Sequence, residues 1–177
     1  LVWIVALVLL FVILTGFKSG FRIRNIASSL PKHPDLQYDK RRLDQIDQVI
    51  IHHSATPVRA SPESIARYHV GPNHISSEGI PGIAYHFLIN FSGQVFQVNE
   101  LTTISWHTAG QNTRSIGICL IGNFDETEPS KAQYQSMVIL IALLRRKLGA
   151  LEIAAHNEYA NKTCPGELFS WEKIQSV

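Results

Sequence analysis

Residues 49–56, V-I-I-H-H-S-A-T, decide how the rest of the chain is interpreted. The short apolar run that opens this stretch is typical of a buried β-strand. His52 and His53 come at its end, where a rigid strand holds functional side chains in place. Adjacent residues of a strand point to opposite faces, so the two imidazoles are expected to have different surroundings.

Further strands are predicted on either side of this stretch. Apolar runs at residues 84–91 and 95–98 are separated by the turn residues S-G-Q at 92–94, which predicts a hairpin. Residues 115–121 predict another central strand, and residues 151–155 predict a further one.

Helix signals lie between these strands. Ser61 followed by Pro62 predicts a helix start, and Gly71 predicts the end of that helix. Ser130 opens a capping box ahead of a longer helix. The apolar residues of that helix recur at helical spacing: Tyr134, Met137, Val138, Ile141, Leu144 and Leu148. Residues 167–174 predict a closing helix. Interleaved strands and helices indicate an α/β domain with a mixed central β-sheet flanked by helices.

The chain is long enough, at 177 residues, for one folded domain and an appendage. Residues 1–17 carry no charge and predict a transmembrane anchor or a signal segment. Residues 18–46 mix charges, serines and prolines without a sustained period, so we expect a charged tether there. The folded domain is then expected to cover residues 47–177. A formal net charge of +2 gives no reason to expect a nucleic-acid partner.

Three residues have side chains suited to binding a metal ion: His52, His156 and Cys164. Zinc sites combine imidazoles and thiolates at about 2.0 to 2.3 Å, and a catalytic site keeps its fourth position for water. Their spacing alone is a weak signal. A core histidine, a capping histidine and an unrelated cysteine would explain it more simply.

Five motifs in a fixed order favour the metal site over this simpler explanation. They are V-I-I-H-H-S-A-T (49–56), A-Y-H-F-L-I (84–89), S-W-H-T-A-G (105–110), S-I-G-I-C-L-I-G (115–122) and H-N-E-Y-A-N-K-T-C-P-G (156–166). Together they resemble the type 2 N-acetylmuramoyl-L-alanine amidases, whose fold is shared by phage amidase-type lysozymes and peptidoglycan recognition proteins. The resemblance covers about residues 47–171.

The resemblance implies a role for each matching residue. His52, His156 and Cys164 correspond to the three zinc ligands, so Zn²⁺ is the expected cofactor. Tyr85 matches the tyrosine beside the attacking water, and Lys162 matches the lysine two positions before the cysteine ligand. We expect these two residues to be catalytic, stabilising the oxyanion or orienting the water.

Some relatives place a glutamate where this chain has Cys119, so the general base is left open. Cys119 is interpreted as a small buried residue. A disulfide between Cys119 and Cys164 would remove a ligand, and a zinc-bound thiolate is expected instead. His53 is expected to be a neighbour of the site, an exchange of roles with His52 being the main alternative.

Substrate contacts are expected from Trp106, His107, Asn112, Arg114 and His86. Trp106 and His107 lie in the loop that relatives use for substrate, although an exposed loop pair is an equal alternative. Asn112 and Arg114 suit a carboxylate of the stem peptide, and a solvated arginine is the simpler alternative. His86 either lines the floor of the site or packs in the core. Three other histidines are expected on the tether and the surface: His33, His69 and His74.

The resemblance therefore predicts an N-acetylmuramoyl-L-alanine amidase, a zinc metallohydrolase that cleaves the bond between N-acetylmuramic acid and L-alanine in peptidoglycan or muropeptides. The alternative is a non-catalytic peptidoglycan-binding module, which the complete set of matched residues disfavours. We expect a monomer, anchored to the membrane through its N-terminal segment or exported, with its domain on the cell-envelope side. Basic residues after the apolar segment favour the cytoplasmic side, so the topology stays open.

Overall fold

Parallel strand pairing organises the protein. A computed structural model describes residues 20–73 and 75–174. The expected anchor at residues 1–17 and the expected surface position of His74 lie outside these residues. Among the described residues, no helix combines the length and apolarity needed to cross a membrane.

Six strands form one sheet with the order β1-β4-β3-β5-β2-β6. Their bounds are β1 Ile23–Asn25, β2 Gln48–His53, β3 Phe87–Ile89, β4 Val95–Gln97, β5 Ser115–Leu120 and β6 Glu152–Ala155. The hairpin partners β3 and β4 pair antiparallel, while every other neighbouring pair is parallel. The prediction of a mixed central sheet is confirmed.

Strand β2 lies between β5 and β6, and all residues of β2 and β5 are buried. Alternation along β2 divides its side chains between two faces. Val49 and Ile51 belong to the larger apolar core, which the long helix covers. His52 lies opposite Cys119 of β5, which packs in the smaller core on the other face. The strand therefore directs His52 away from the larger core.

Two helices cover the sheet as predicted. Helix α1, Pro62–Val70, begins after the N-cap Ser61 and ends at Gly71. Helix α2, Lys131–Leu148, begins with a capping box between Ser130 and Gln133. The Gln133 side chain also donates to the carbonyls of Ile89 and Ile121, at 3.1 and 3.0 Å, and so fastens α2 to the sheet.

The predicted closing helix at residues 167–174 is wrong, because only Trp171–Lys173 form a short 3₁₀ turn. Backbone N–H groups in this segment bond to other elements instead of to a helix. Leu168 donates to the Phe124 carbonyl, and Ser170 donates to the Tyr134 hydroxyl.

The structure also differs from the expectation that residues 18–46 form a tether. Residues Ile23–Asn25 are a strand of the sheet, and Leu30 and Ile46 are buried. Arg41 is only 6% exposed. Its guanidinium donates at 2.7 to 3.0 Å to four backbone carbonyls: those of Leu101, Asn112, Thr113 and Ser115. Arg41 thus ties this segment to residues 101–115, so the fold begins well before residue 47.

Replacing Arg41 by methionine is expected to lower the free energy of unfolding by roughly 2 to 4 kcal/mol, because several buried carbonyls lose their donor. Urea unfolding followed by circular dichroism measures this change. Arg42→Met is the matched control, since the Arg42 side chain is 79% exposed and pairs only with Asp44 at the surface. Equal stability of the two variants would contradict the role assigned to Arg41.

Candidate metal centre

Three donor side chains meet at one edge of the sheet. His52 ends β2, and His156 begins the turn His156–Glu158 directly after β6. Because β2 and β6 pair in parallel, their carboxyl ends reach the same edge. Cys164 arrives from the following loop. One ligand atom from each residue lies within 4.8 Å of the other two.

The spacing of these atoms fits a tetrahedral metal ion. Sγ of Cys164 lies 3.7 Å from Nδ1 of His52. Bonds of about 2.1 Å to nitrogen and 2.3 Å to sulfur at a tetrahedral angle separate the two donors by roughly 3.6 Å. His52 and Cys164 are 1% and 7% exposed, while His156 is partly exposed. Two nitrogens and one sulfur are the donor set that zinc favours.

Burial keeps both histidines in the neutral form that a metal needs. Burial, and then the neighbouring imidazoles and Lys162, lower the pKa of His52 well below its ordinary value. The same causes lower the pKa of His156 to about 4. Burial raises the pKa of the Cys164 thiol to about 12, although the His53 amide and Lys162 oppose this. A thiolate there therefore requires a compensating cation.

His53 faces a different environment from His52. Its Nδ1 accepts a hydrogen bond from the Phe124 amide at 3.1 Å, and its ring packs on the Phe124 ring. Its backbone amide lies 3.4 Å from Sγ of Cys164 and donates to it. The structure thus gives His53 a supporting position beside the donor cluster, in which its backbone rather than its ring contacts Cys164.

The donor cluster opens into a cleft of about 1250 Å³. Tyr85 and Lys162 both line it, and the Tyr85 ring lies 5.1 Å from the His52 ring. Burial, and then the nearby thiols, raise the pKa of Tyr85 well above its ordinary value, so its hydroxyl remains a donor. The Lys162 side chain is exposed.

Three of the residues expected to bind substrate line this cleft: Trp106, His107 and Asn112. Trp106 is 41% exposed and packs edge-on against Tyr38 at 6.1 Å. The Asn112 carboxamide oxygen accepts from the Thr108 amide at 2.7 Å and shapes the loop. His107 is only 6% exposed, so the alternative of an exposed loop residue does not hold for it. Burial lowers its pKa to about 3.

Neither His86 nor Arg114 lines the cleft, so each takes the alternative position that the sequence left open. His86 packs in the core and is fully buried. Its Nδ1 accepts from the Gly117 amide at 3.1 Å, and its Nε2 lies 2.9 Å from the Thr103 carbonyl. The half-exposed Arg114 forms surface ion pairs with the carboxylates of Asp47 and Glu152.

His69 is a residue of the site that the sequence interpretation placed on the surface. It is 5% exposed on the inner face of α1, four residues after the buried Ile65. Its Nδ1 accepts from the Ala84 amide, and its ring lies 5.6 Å from the Tyr85 ring. The helical spacing from Ile65 is the signal that identifies it.

Asp125 is a second residue that the sequence interpretation missed. Its carboxylate accepts from the Thr163 hydroxyl at 2.8 Å and from the Glu167 amide at 3.0 Å. These contacts lie on either side of Cys164 in the sequence, so Asp125 holds the loop that carries this thiol.

Comparison with known proteins gives consistent similarities. A family model described as N-acetylmuramoyl-L-alanine amidase matches residues 42–167. The endolysin of Escherichia phage T7 is 29% identical over 151 residues, covering 80% of this chain and 95% of the phage protein. A peptidoglycan recognition protein of Bombyx mori is 31% identical over 127 residues, covering 68% of this chain and 64% of that protein.

Solved structures show the same fold. The N-acetylmuramoyl-L-alanine amidase LysC from Clostridium intestinale superposes with a TM-score of 0.74 at 24% identity, covering 88% of this chain and 95% of that one. Drosophila peptidoglycan recognition protein SD superposes with a TM-score of 0.75 at 21% identity, covering 89% and 95% of the two chains.

The donor cluster leads to a prediction about metal content. The full chain is expected to retain one zinc ion after dialysis, and Cys164→Ala is expected to lose it, because two imidazoles alone hold zinc weakly. Elemental analysis and competition with a chromophoric chelator measure this. Cys119→Ala, at the other free and buried cysteine, is the matched control and should retain the ion. Full retention by Cys164→Ala would refute the assignment.

Proposed function

This chain belongs to the N-acetylmuramoyl-L-alanine amidase family, and we propose that it is a zinc-dependent hydrolase of the bond between N-acetylmuramic acid and L-alanine in peptidoglycan. The family resemblance that the five motifs indicated is confirmed by the family match and the phage relatives. The observation that carries the proposal is the meeting of His52, His156 and Cys164 beside a large cleft, which His156 and Cys164 line.

Amide hydrolysis needs an activated water, a polarised carbonyl and stabilisation of the oxyanion that forms. A zinc ion held by the three donors would acidify the water and polarise the carbonyl. Three protein ligands leave one tetrahedral position open, which is the arrangement of catalytic rather than structural zinc sites. The donor set therefore supports a hydrolase in preference to a module with a purely structural metal.

Tyr85 and Lys162 are proposed to stabilise the developing negative charge. The Tyr85 hydroxyl keeps its proton and is hydrogen-bonded to Cys119, and we propose that it exchanges this bond for one to the oxyanion beside the metal. Lys162 adds a positive charge to the wall of the cleft, two residues before Cys164. Tyr85 does not need to change its protonation state to play this part.

The walls of the cleft suit a glycopeptide. Their exposed aromatic and aliphatic side chains can pack against sugar rings and peptide: Tyr68, Ile75, Trp106 and Tyr159. The volume of about 1250 Å³ exceeds the roughly 300 to 1,000 Å³ of typical small-ligand pockets, which favours an extended substrate. Peptidoglycan or muropeptides are the proposed substrates, and action on the cell-envelope side follows from where they occur.

Recognition without cleavage is the second candidate, because several relatives are named peptidoglycan recognition proteins. A module that only binds has no need for a buried thiol beside two neutral imidazoles. The complete donor set, together with Tyr85, supports catalysis.

The full chain is expected to release peptides with free L-alanine N-termini from purified peptidoglycan, which mass spectrometry of the soluble products detects. Residues 1–46 are kept, since removing them would delete Arg41. Metal removal by a chelator and His52→Ala should each abolish release. Arg114→Ala, outside the cleft, should retain it. Undiminished cleavage by verified metal-free protein would refute the proposed mechanism, whereas binding of peptidoglycan without any cleavage would favour the recognition module.

Tyr85→Phe is expected to lower kcat by roughly 10²- to 10³-fold, the usual effect of removing one oxyanion donor, while leaving KM and zinc content nearly unchanged. Steady-state hydrolysis of a defined muropeptide, with zinc measured on the same preparation, provides the test. Unchanged kcat would remove Tyr85 from the catalytic residues.

A further inference from the structure

His52 uses its two ring nitrogens for different partners. Nδ1 points toward the donor cluster, 3.7 Å from Sγ of Cys164. Nε2 lies 3.1 Å from Nδ1 of His107, and the two rings meet edge to face at 5.2 Å. The second contact lies away from the metal position and has no part in the ligand set.

The hydrogen bonds of these two rings allow one consistent arrangement of protons. A metal bound at Nδ1 of His52 requires a lone pair there, so the proton of the neutral ring sits on Nε2. That proton is donated to Nδ1 of His107, which must then carry its own proton on Nε2. Nε2 of His107 lies 3.2 Å from the Ser115 hydroxyl and 3.4 Å from the Ser115 carbonyl. The Ser115 carbonyl can only accept a hydrogen bond, so it requires a proton on Nε2 of His107, in agreement with this arrangement.

We propose that His107 is a positioning residue for the metal centre, which accepts the Nε2 proton of His52 and thereby holds Nδ1 toward the ion. The inference rests on the proposed metal site. Metal-binding histidines generally donate their second ring N–H to an outer partner, which fixes the tautomer and the ring orientation. Here a buried neutral imidazole fills the place that a carboxylate or carbonyl group usually takes.

The backbone of β5 makes room for the His107 ring. A Cβ at Gly117 would lie 2.7 Å from Cγ of His107, closer than such atoms can approach. His86 also packs edge-on against the His107 ring, with the ring centres 5.8 Å apart. The His86 ring is itself held through Nδ1 by the Gly117 amide. The ring of His107 is therefore confined to one orientation, as an orienting partner must be.

Thr108 offers a weaker alternative acceptor. Its hydroxyl lies 3.4 Å from Nε2 of His52, against 3.1 Å for His107. It also lies 3.1 Å from Nδ1 of His107. Loss of the His107 ring would leave His52 with this longer contact, so we expect weakened rather than abolished metal binding.

The variants His107→Leu and His107→Asn distinguish the loss of the hydrogen-bond acceptor from the loss of the imidazole ring as a packing group. Leucine removes the acceptor. The Ser115 groups keep other partners in that variant, the hydroxyl donating to the Gln111 carbonyl and the carbonyl accepting from Arg41. Asparagine places a carbonyl oxygen near the position of Nδ1. His33→Leu, at a partly exposed histidine outside the cleft that is likewise held by hydrogen bonds to the backbone, is the matched control.

Zinc affinity, measured by chelator competition on the full chain, should fall about 10- to 100-fold in His107→Leu, the usual effect of losing an outer partner of a ligand. His107→Asn should recover most of that loss, and His33→Leu should match the unmodified protein. Equal affinity of His107→Leu and the unmodified protein would overturn the inference. Equal losses in the leucine and asparagine variants would do so as well.

Nitrogen-15 chemical shifts of the His52 ring, recorded without metal, provide a readout that a merely structural role would not move. The unmodified protein should show the Nε2–H tautomer, and His107→Leu a mixture of tautomers. An unchanged tautomer would contradict the inference. If the leucine variant does not fold, His107→Gln replaces it. The glutamine amide group reaches the position of Nε2 of His107 but provides no acceptor at the position of Nδ1. Failure of the unmodified chain to bind zinc would instead overturn the proposed function.

Discussion

Parallel pairing of β2 with β6 is the constraint on which the site depends. The register places Ile51 opposite Ala155. The residues that follow them, His52 in β2 and His156 directly after β6, therefore lie at the same edge of the sheet. Their rings lie 4.5 Å apart. The loop that Asp125 holds adds Cys164 to this pair. A central pairing of buried strands is costly to shift, because a slip of one residue would turn His52 toward the larger core.

The polar groups behind the site form a second, connected layer. Arg41 bonds carbonyls along residues 101–115, and the same stretch carries Trp106 and His107. His107 in turn contacts His52. The loop that lines the cleft and the proposed outer partner of a metal ligand are thus parts of one backbone segment. Arg41, which lies between β1 and β2, holds that backbone in place, so the segment before β2 supports the proposed site.

The strands β2 to β6 and both helices were predictable because their signals are local: apolar runs, an N-cap before proline and a capping box. Strand β1 was not predicted, since it lies in the segment expected to be a tether. The three donors were found through ordered motifs rather than spacing. Arg41 was not predictable, since its partners are backbone carbonyls that carry no residue signature. The sequence left the position of His86 open, because a motif gives a residue's order along the strand but not which side chains reach the cleft. Arg114 lies outside the five motifs, which gave no information on its position. The predicted closing helix was wrong because the backbone N–H groups of Leu168 and Ser170 donate to other elements of the fold.

The central claim is that two imidazoles and one thiolate hold a zinc ion with a position left for water. X-ray absorption at the zinc edge on the purified full chain tests it most directly. The account predicts one sulfur at about 2.3 Å together with two imidazole nitrogens and one further light atom at about 2.0 to 2.1 Å. A first shell without sulfur, or one filled by four protein side chains, would contradict it.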